Sequence, residues 1–97
     1  MTGLNVYYHL KPGKMNEFID SLINNNIADL CRNENGCLQY DYFRSLDDPD
    51  NVLLLIERWE TSEAQKVHTT QPHFILLQEL KAKFVEKTEF FNYAECK

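Results

Sequence analysis

ERWETSEAQKVHTTQPHF, residues 57–74, decides the fold and contains the candidate chemistry. The apolar run at residues 52–56 leads into it, which predicts that the stretch begins at the end of a β-strand. Ser62 with Gln65 three residues later forms a capping-box pattern, so a short helix is predicted to start there. Pro72 predicts a second helix, because proline at the first helical position loses no intrahelical hydrogen bond.

Both histidines of this stretch are predicted to face inward. Ala64 and His68 are four residues apart on the first helix, which places them on one stripe. His73 begins the inward stripe of the second helix, which continues through Leu76, Leu77, Leu80 and Phe84. Glu57 and Trp59 alternate with the residues between them, so they share one face of the preceding strand. The sequence therefore brings two imidazoles close to a carboxylate.

The remainder of the chain predicts three further strands and one long helix. Alternation at residues 4–10, 37–44 and 85–93 predicts the strands, and the first places Tyr8 with its apolar neighbours. A helical period from Met15 to Cys31 predicts one amphipathic helix with Asn26 at the edge of its stripe. Asn35 and Gly36 are expected to end that helix.

The element order β-α-β-β-α-β, with the second helical segment broken at residues 69–71, predicts an α+β, ferredoxin-like fold. The whole chain, residues 1–97, is expected to form a single domain. Helices in so small a domain cover one face of the sheet. The strand at residues 52–59 is apolar on both faces until Glu57, so its other face needs a cover. A second copy of the chain is the expected cover, which predicts a homodimer.

The composition of the chain limits which classes of binding partner are expected. The net charge is −5, and no cluster of lysine and arginine is present, so neither nucleic acid nor an anionic membrane surface is an expected partner. No run of about 20 apolar residues occurs, and the first residues lack a signal-peptide pattern, which predicts a cytoplasmic protein. The three cysteines, Cys31, Cys37 and Cys96, show no metal-binding spacing, so free thiols and no metal are expected.

Several segments together resemble the antibiotic biosynthesis monooxygenase (ABM) family. They are Lys11-Pro12-Gly13, Gly36-Cys37, Ile56-Glu57-Arg58-Trp59-Glu60-Thr61 and His68-Thr69-Thr70-Gln71-Pro72-His73. The resemblance implies a dimeric α+β barrel with a cavity between each sheet and its helices. It also implies oxygen chemistry on a small-molecule substrate without a bound cofactor. Two branches are most similar, the small quinol monooxygenases and the autoinducer-2 degradation isomerase. The family's aromatic polyketide oxygenases carry asparagine and tyrosine where this chain has Leu55 and Gln65. Its haem-degrading members carry tryptophan in place of His68.

Glu57 and His68 are the predicted catalytic residues. Burial would raise the pKa of Glu57 and make it a general base, while the alternative is a structural salt bridge. His68 could relay a proton or bond a substrate oxygen, and its alternative role is to bond free carbonyls at a helix end. Trp59, His73, Tyr8 and Tyr40 are the predicted substrate-binding residues, although large aromatics are more often core or interface.

These residues leave three functions open. The first is a monooxygenase of a small quinol-like or enolisable compound, whose substrate itself passes electrons to dioxygen once it is deprotonated. The second is an isomerase of a small phosphorylated carbonyl compound, for which Lys66 and Arg58 are the cations at hand. The third is a ligand-binding dimer that performs no reaction.

Overall fold

The fold is known from a computed structural model, which describes residues 1–94. The described chain contains four strands and four helices in the predicted order, with both helical segments divided in two. They are β1 (Thr2–Leu10), α1 (Met15–Asn24), α2 (Ile27–Arg32), β2 (Cys37–Arg44), β3 (Val52–Trp59), α3 (Ser62–His68), α4 (Pro72–Phe84) and β4 (Val85–Ala94). No helix among these is long and apolar enough to cross a membrane.

The strands form one antiparallel sheet in the order β2-β3-β1-β4. The two central strands, β1 and β3, are thus far apart in sequence, and β2 and β4 are the edges. This order confirms the predicted ferredoxin-like fold. β4 carries Glu86, Lys87 and Glu89, and charged residues of this kind are typical of an edge strand. Register places Tyr40 opposite Glu57 and Val6 opposite Leu55, so these four side chains share the helix-covered face.

The core lies between this face of the sheet and the helices. Alternate residues of the strands point toward the helices and form the sheet side of the core. β3 shows this pattern most clearly, because Leu53, Leu55, Glu57 and Trp59 are all buried. The helices contribute Met15, Phe18, Leu22, Ile27, Cys31, Leu77, Leu80 and Phe84 from above. Each large apolar side chain that is fully buried stabilises the fold by ~1.5–3 kcal/mol. Glu57 and His68 are the buried polar exceptions among the described residues.

The prediction of one continuous helix from Met15 to Cys31 was wrong. The helix stops at Asn24, and Asn26 adopts a left-handed conformation with φ of 53° before α2 begins. Asparagine tolerates this conformation better than most residues, so the backbone can break at Asn26. The helical spacing of apolar residues continues in the sequence on both sides of this break, and it therefore did not reveal the break. The break turns α2 so that Ile27 and Cys31 reach the core.

The predicted start of α3 was displaced by one residue. Thr61, rather than Ser62, caps the helix, since its hydroxyl accepts a hydrogen bond from the backbone N–H of Ala64 at 3.1 Å. Ser62 is the first helical residue. Pro72 does begin α4, as predicted, and the turn at residues 69–71 separates the two helices.

Candidate active site

A carboxylate, an indole and an imidazole pack together at the end of β3. The side chain of Glu57 is 9% exposed and that of His68 is 2% exposed. The Nε1–H of Trp59 donates a hydrogen bond to Oε1 of Glu57 at 2.9 Å. The imidazole of His68 covers the Trp59 ring, with 4.7 Å between the ring centroids. Nε2 of His68 lies 4.0 Å from Oε1 of Glu57, so the fold brings the two predicted catalytic residues together.

Burial controls the acidity of Glu57. Removal from water raises the pKa of its carboxyl group above the ordinary value, and the negative charge of Glu34 acts in the same direction. The hydrogen bond from Trp59, the charge of His68 when it is protonated and the charge of Lys81 oppose this rise without cancelling it. A carboxylate with a raised pKa is a stronger base, which is what proton abstraction near neutral pH requires.

A residue that the sequence did not single out, Glu34, joins the two histidines. Its Oε2 atom lies 2.6 Å from Nδ1 of His68 and 2.8 Å from Nε2 of His73. The side chains of Glu34 and His73 are 10% and 12% exposed. A single carboxylate oxygen therefore holds both imidazoles, although the histidines are 34 and 39 residues away along the chain.

The segment that carries Glu34 is fixed by the backbone. The N–H of Glu34 donates to the carbonyl of Cys31, and the carbonyl of Glu34 accepts from Cys37. Gly36 has φ of 86°, and a Cβ atom there would lie 2.7 Å from Cβ of Ala64 on α3. Glycine is therefore required at this position both for the backbone conformation and for the close approach. The turn consequently presents Glu34 to the end of α3.

The hydrogen bonds to Glu34 determine which nitrogen of each neutral histidine carries the proton. An ionised carboxylate only accepts, so Nδ1 of His68 and Nε2 of His73 donate. The other nitrogen of His68, Nε2, then presents a lone pair toward Glu57. Glu57 and His68 are thus adjacent titratable side chains, and the hydrogen bond to Glu34 fixes the orientation of the His68 imidazole.

Two predicted substrate-binding tyrosines lie on the same face of the sheet. The hydroxyl of Tyr40 is 3.3 Å from that of Tyr42, and burial raises the pKa of both. Tyr8 packs edge-on against Phe18, and burial raises the pKa of its hydroxyl also. Tyr8 and Tyr40 are each at most 2% exposed, and Trp59 is fully buried under His68.

A groove of about 460 Å³ lies next to this cluster and does not include it. Side chains of α1, α2, β2 and β3 line it, including Leu22, Tyr42 and Leu53. Glu57 and His68 are not among its lining residues. Tyr42 connects the two regions, because it lines the groove and its hydroxyl lies 3.3 Å from that of Tyr40. Tyr40 in turn packs against His68, with 5.8 Å between the rings.

Sequence reasoning missed Glu34 and Tyr42 as site residues. Glu34 lies in an irregular segment, where neither helical nor strand periodicity assigns a face. Tyr42 did carry a usable signal, because it alternates with Tyr40 on β2 and must share its face. The sequence also gave no reason to place Cys31 near the histidines, whereas its sulfur atom lies within 4.8 Å of ligand atoms of Glu34, His68 and His73.

The fold and this cluster define a class of protein: a small ferredoxin-like α+β domain with a carboxylate, an indole and an imidazole buried between sheet and helices. The sequence profile of the antibiotic biosynthesis monooxygenase family matches residues 1–80. The chain belongs to this family, which confirms the resemblance.

Solved structures agree with this assignment. A protein of Nitrosomonas europaea is 21% identical over the full length of both chains, with a TM-score of 0.89. A conserved protein of Methanosarcina mazei is 22% identical, with 98% of this chain and 92% of that chain covered and a TM-score of 0.86. A conserved protein of Bacteroides thetaiotaomicron is 25% identical, with 95% and 96% covered and a TM-score of 0.79. At these identities the likeness shows a shared fold. No curated protein matches the chain.

Proposed function

We propose that the protein is a monooxygenase of a small quinol-like or enolisable compound. Family membership supports a monooxygenase-type activity. The observation that carries the finer assignment is the buried Glu57–His68 pair, with a raised pKa at the carboxyl group and 4.0 Å between the facing atoms. Such a pair suits removal of a proton from a hydroxyl group in a site that excludes water.

The proposed reaction draws all its electrons from the substrate. Glu57 takes a proton from one hydroxyl group of the quinol, and the resulting anion transfers electrons to dioxygen. One oxygen atom forms a new C–O bond to the ring, the O–O bond breaks, and the second oxygen leaves as water. Quinol plus dioxygen thus gives hydroxyquinone plus water, so no external reductant is consumed. His68 delivers and receives protons through Nε2, and Glu34 holds its ring in place.

The substrate is proposed to enter through the groove and to meet the tyrosines first. Tyr42 lines the groove, and its contact with Tyr40 leads toward the acid/base pair. Tyr8 and Tyr40 would position substrate oxygens, and His73 would act through the shared bond to Glu34. Trp59 would support the site by holding Glu57, since its face is covered by the His68 ring.

The protein is also proposed to act as a homodimer through the face of the sheet that the helices leave uncovered. Register and alternation place Tyr7, Phe43, Leu54, Ile56 and Phe91 on that face. Phe43 and Phe91 are 45% and 54% exposed, and the Tyr7 and Phe91 rings contact each other edge-on. Contiguous exposed aromatics of this kind are typical of an interface between copies of a chain.

One observation favours the isomerase as a second candidate. Lys81 is a cation close enough to Glu57 for each to affect the other's pKa, and burial lowers the pKa of the Lys81 ammonium group. The ammonium also lies over the Tyr8 ring at 5.2 Å. A phosphate beside Lys81 would place a neighbouring carbonyl near the acid/base pair. The two cations expected from sequence, Lys66 and Arg58, are both exposed.

Oxygen uptake with a panel of small quinols tests the proposed function. We expect uptake of one dioxygen per quinol with hydroxyquinone as product. Proton exchange at a carbon beside a carbonyl, without oxygen uptake, would favour the isomerase. Ligand binding with neither activity would favour a binding protein and refute both enzymatic proposals.

A further inference from the structure

Four side chains that can ligate a metal converge where three helices meet. Cys31 belongs to the last turn of α2, Glu34 follows that helix, His68 ends α3 and His73 lies in the first turn of α4. One ligand atom from each lies within 4.8 Å of the others. Cys31 is fully buried, and the other three side chains are at most 12% exposed. Buried polar groups of this kind are normally hydrogen bonded, paired or bound to a metal ion.

We propose that Cys31, Glu34, His68 and His73 form a binding site for one Zn²⁺ ion. The proposal does not depend on the monooxygenase activity, because it rests on the donor atoms and their spacing alone.

The donor set selects the type of metal. Thiolate and imidazole are ligands of zinc and similar transition ions, while Ca²⁺ and Mg²⁺ require shells made of oxygen atoms. The charges also balance. One thiolate and one carboxylate together neutralise a divalent cation, and the two imidazoles are neutral, so the occupied site would carry no net charge. Neutrality matters because an unbalanced charge is costly in so buried a place.

The distances are compatible with a tetrahedral ion after small side-chain movements. Zn–N bonds of about 2.0 Å and Zn–S bonds of about 2.3 Å place tetrahedral ligand atoms roughly 3.3–3.6 Å apart. The Glu34–His68 and Glu34–His73 pairs, at 2.6 and 2.8 Å, are hydrogen bonded and would open by less than about 1 Å. The longest separation, 4.8 Å or less, would close by at most about 1.5 Å.

A suitable outer partner for the metal site is already present. When a histidine ligates through one nitrogen, the other nitrogen usually donates to a carboxylate that fixes the ring. With Nδ1 of His68 on the metal, its proton moves to Nε2, which faces Oε1 of Glu57 at 4.0 Å. The Nε1–H of Trp59 donates to the same carboxylate oxygen and holds it in place. Binding would be accompanied by loss of the Cys31 S–H proton to solvent, because the thiolate is the ligand.

Zinc titration of the metal-free protein against a chromophoric chelator tests the site. We expect one zinc ion per chain, and at least ~100-fold weaker binding after Cys31→Ser, since even outer-partner substitutions cost 10–100-fold. Cobalt(II) gives a second readout, because a thiolate ligand adds a charge-transfer absorption band. That band should disappear in Cys31→Ser. His73→Gln provides a second variant at a partly exposed position, in case Cys31→Ser fails to fold.

Cys37→Ser is the matched control, because the Cys37 sulfur donates to the carbonyl of Gln39 and lies outside the cluster. It should keep both the zinc affinity and the cobalt band. Cys96→Ser serves as a third variant, since Cys96 lies beyond the residues that the structure describes. The proposal is overturned if wild-type protein binds less than one equivalent. It is also overturned if Cys31→Ser and Cys37→Ser behave alike, or if His73→Gln leaves zinc binding unchanged.

Discussion

Replacement of Glu57 by glutamine should make the protein more stable and less active at the same time. The side chain is 9% exposed, and its Oε1 accepts the indole hydrogen bond of Trp59 at 2.9 Å. A glutamine amide oxygen accepts the same bond and fills nearly the same volume. Only the ability to ionise is lost, so Glu57→Gln separates the effect of the charge from the effect of the shape.

The stability effect depends on pH in a defined direction. The pKa of Glu57 is raised in the folded protein, chiefly by burial, so the folded state binds the proton more tightly than the unfolded state does. The protonated Glu57 contributes to the free energy of unfolding at acidic pH. This contribution is lost as the pH rises through the pKa of Glu57 in the folded protein. Each unit of elevation corresponds to about 1.4 kcal/mol. At about pH 8, the free energy of unfolding should therefore be larger for Glu57→Gln than for wild type. The difference should vanish toward about pH 4.

The effect on turnover should have the opposite sign. A positioned base contributes ~10²–10⁴-fold to a rate, so oxygen uptake should fall by at least ~10²-fold, or about 2.7 kcal/mol of transition-state stabilisation. A residue that served only as a structural ion-pair partner would lose stability on this substitution instead.

Urea unfolding at a series of pH values, at fixed protein concentration and with a chelator present, measures the stability difference. Glu60→Gln is the matched control. Glu60 is exposed, so its substitution should change stability by less than ~0.5 kcal/mol at every pH. A Glu57→Gln variant less stable than wild type at about pH 8 would refute a raised pKa at Glu57, because the ionised carboxylate would then be stabilised by its surroundings.

Three further predictions concern the fold and assembly. Gly13→Ala should cost ~1–2 kcal/mol of unfolding free energy, because alanine is strained in the left-handed conformation. Gly36→Ala should cost more, because its new Cβ would also collide with Ala64 of α3. Urea unfolding measures both. Thr61→Ala should cost ~1 kcal/mol of unfolding free energy in the same assay, whereas Ser62→Ala should cost under ~0.5 kcal/mol, since Thr61 is the cap. Ile56→Lys should shift the mass measured by light scattering from dimer to monomer, while a lysine at the exposed Leu46 should not.

The parts of the site that lie on regular elements could be predicted from the sequence. A strand has period two, so Glu57 and Trp59 had to share a face with Leu55, and the structure buries all three. His68 and Ala64 lie one helical turn apart, which predicted the inward direction of the imidazole. The ferredoxin-like fold was predicted from the element order, and in the structure β3 lies beside β1.

The parts that depend on irregular backbone could not be predicted. Glu34 follows a helix end and reaches His68 across 34 residues, and no local pattern encodes such a contact. Its position depends on the break at Asn26, where the apolar period continued although the backbone turned. The helix start at α3 was displaced for a simpler reason, since Thr61 and Ser62 are both good capping residues and only geometry chooses between them.

The two nitrogens of His68 divide the site into halves that can be tested apart. Nδ1 faces Glu34 and the metal-ligand cluster, while Nε2 faces Glu57 and the proposed proton transfer. Within residues 1–94 every buried side-chain nitrogen or oxygen has a hydrogen-bond partner. Glu57→Gln removes a base without removing a ligand. It should therefore lower oxygen uptake by at least ~10²-fold yet still bind one zinc ion per chain, with an affinity reduced by no more than the ~10–100-fold of an outer-partner substitution. Loss of both together would mean that the cluster is a single functional unit.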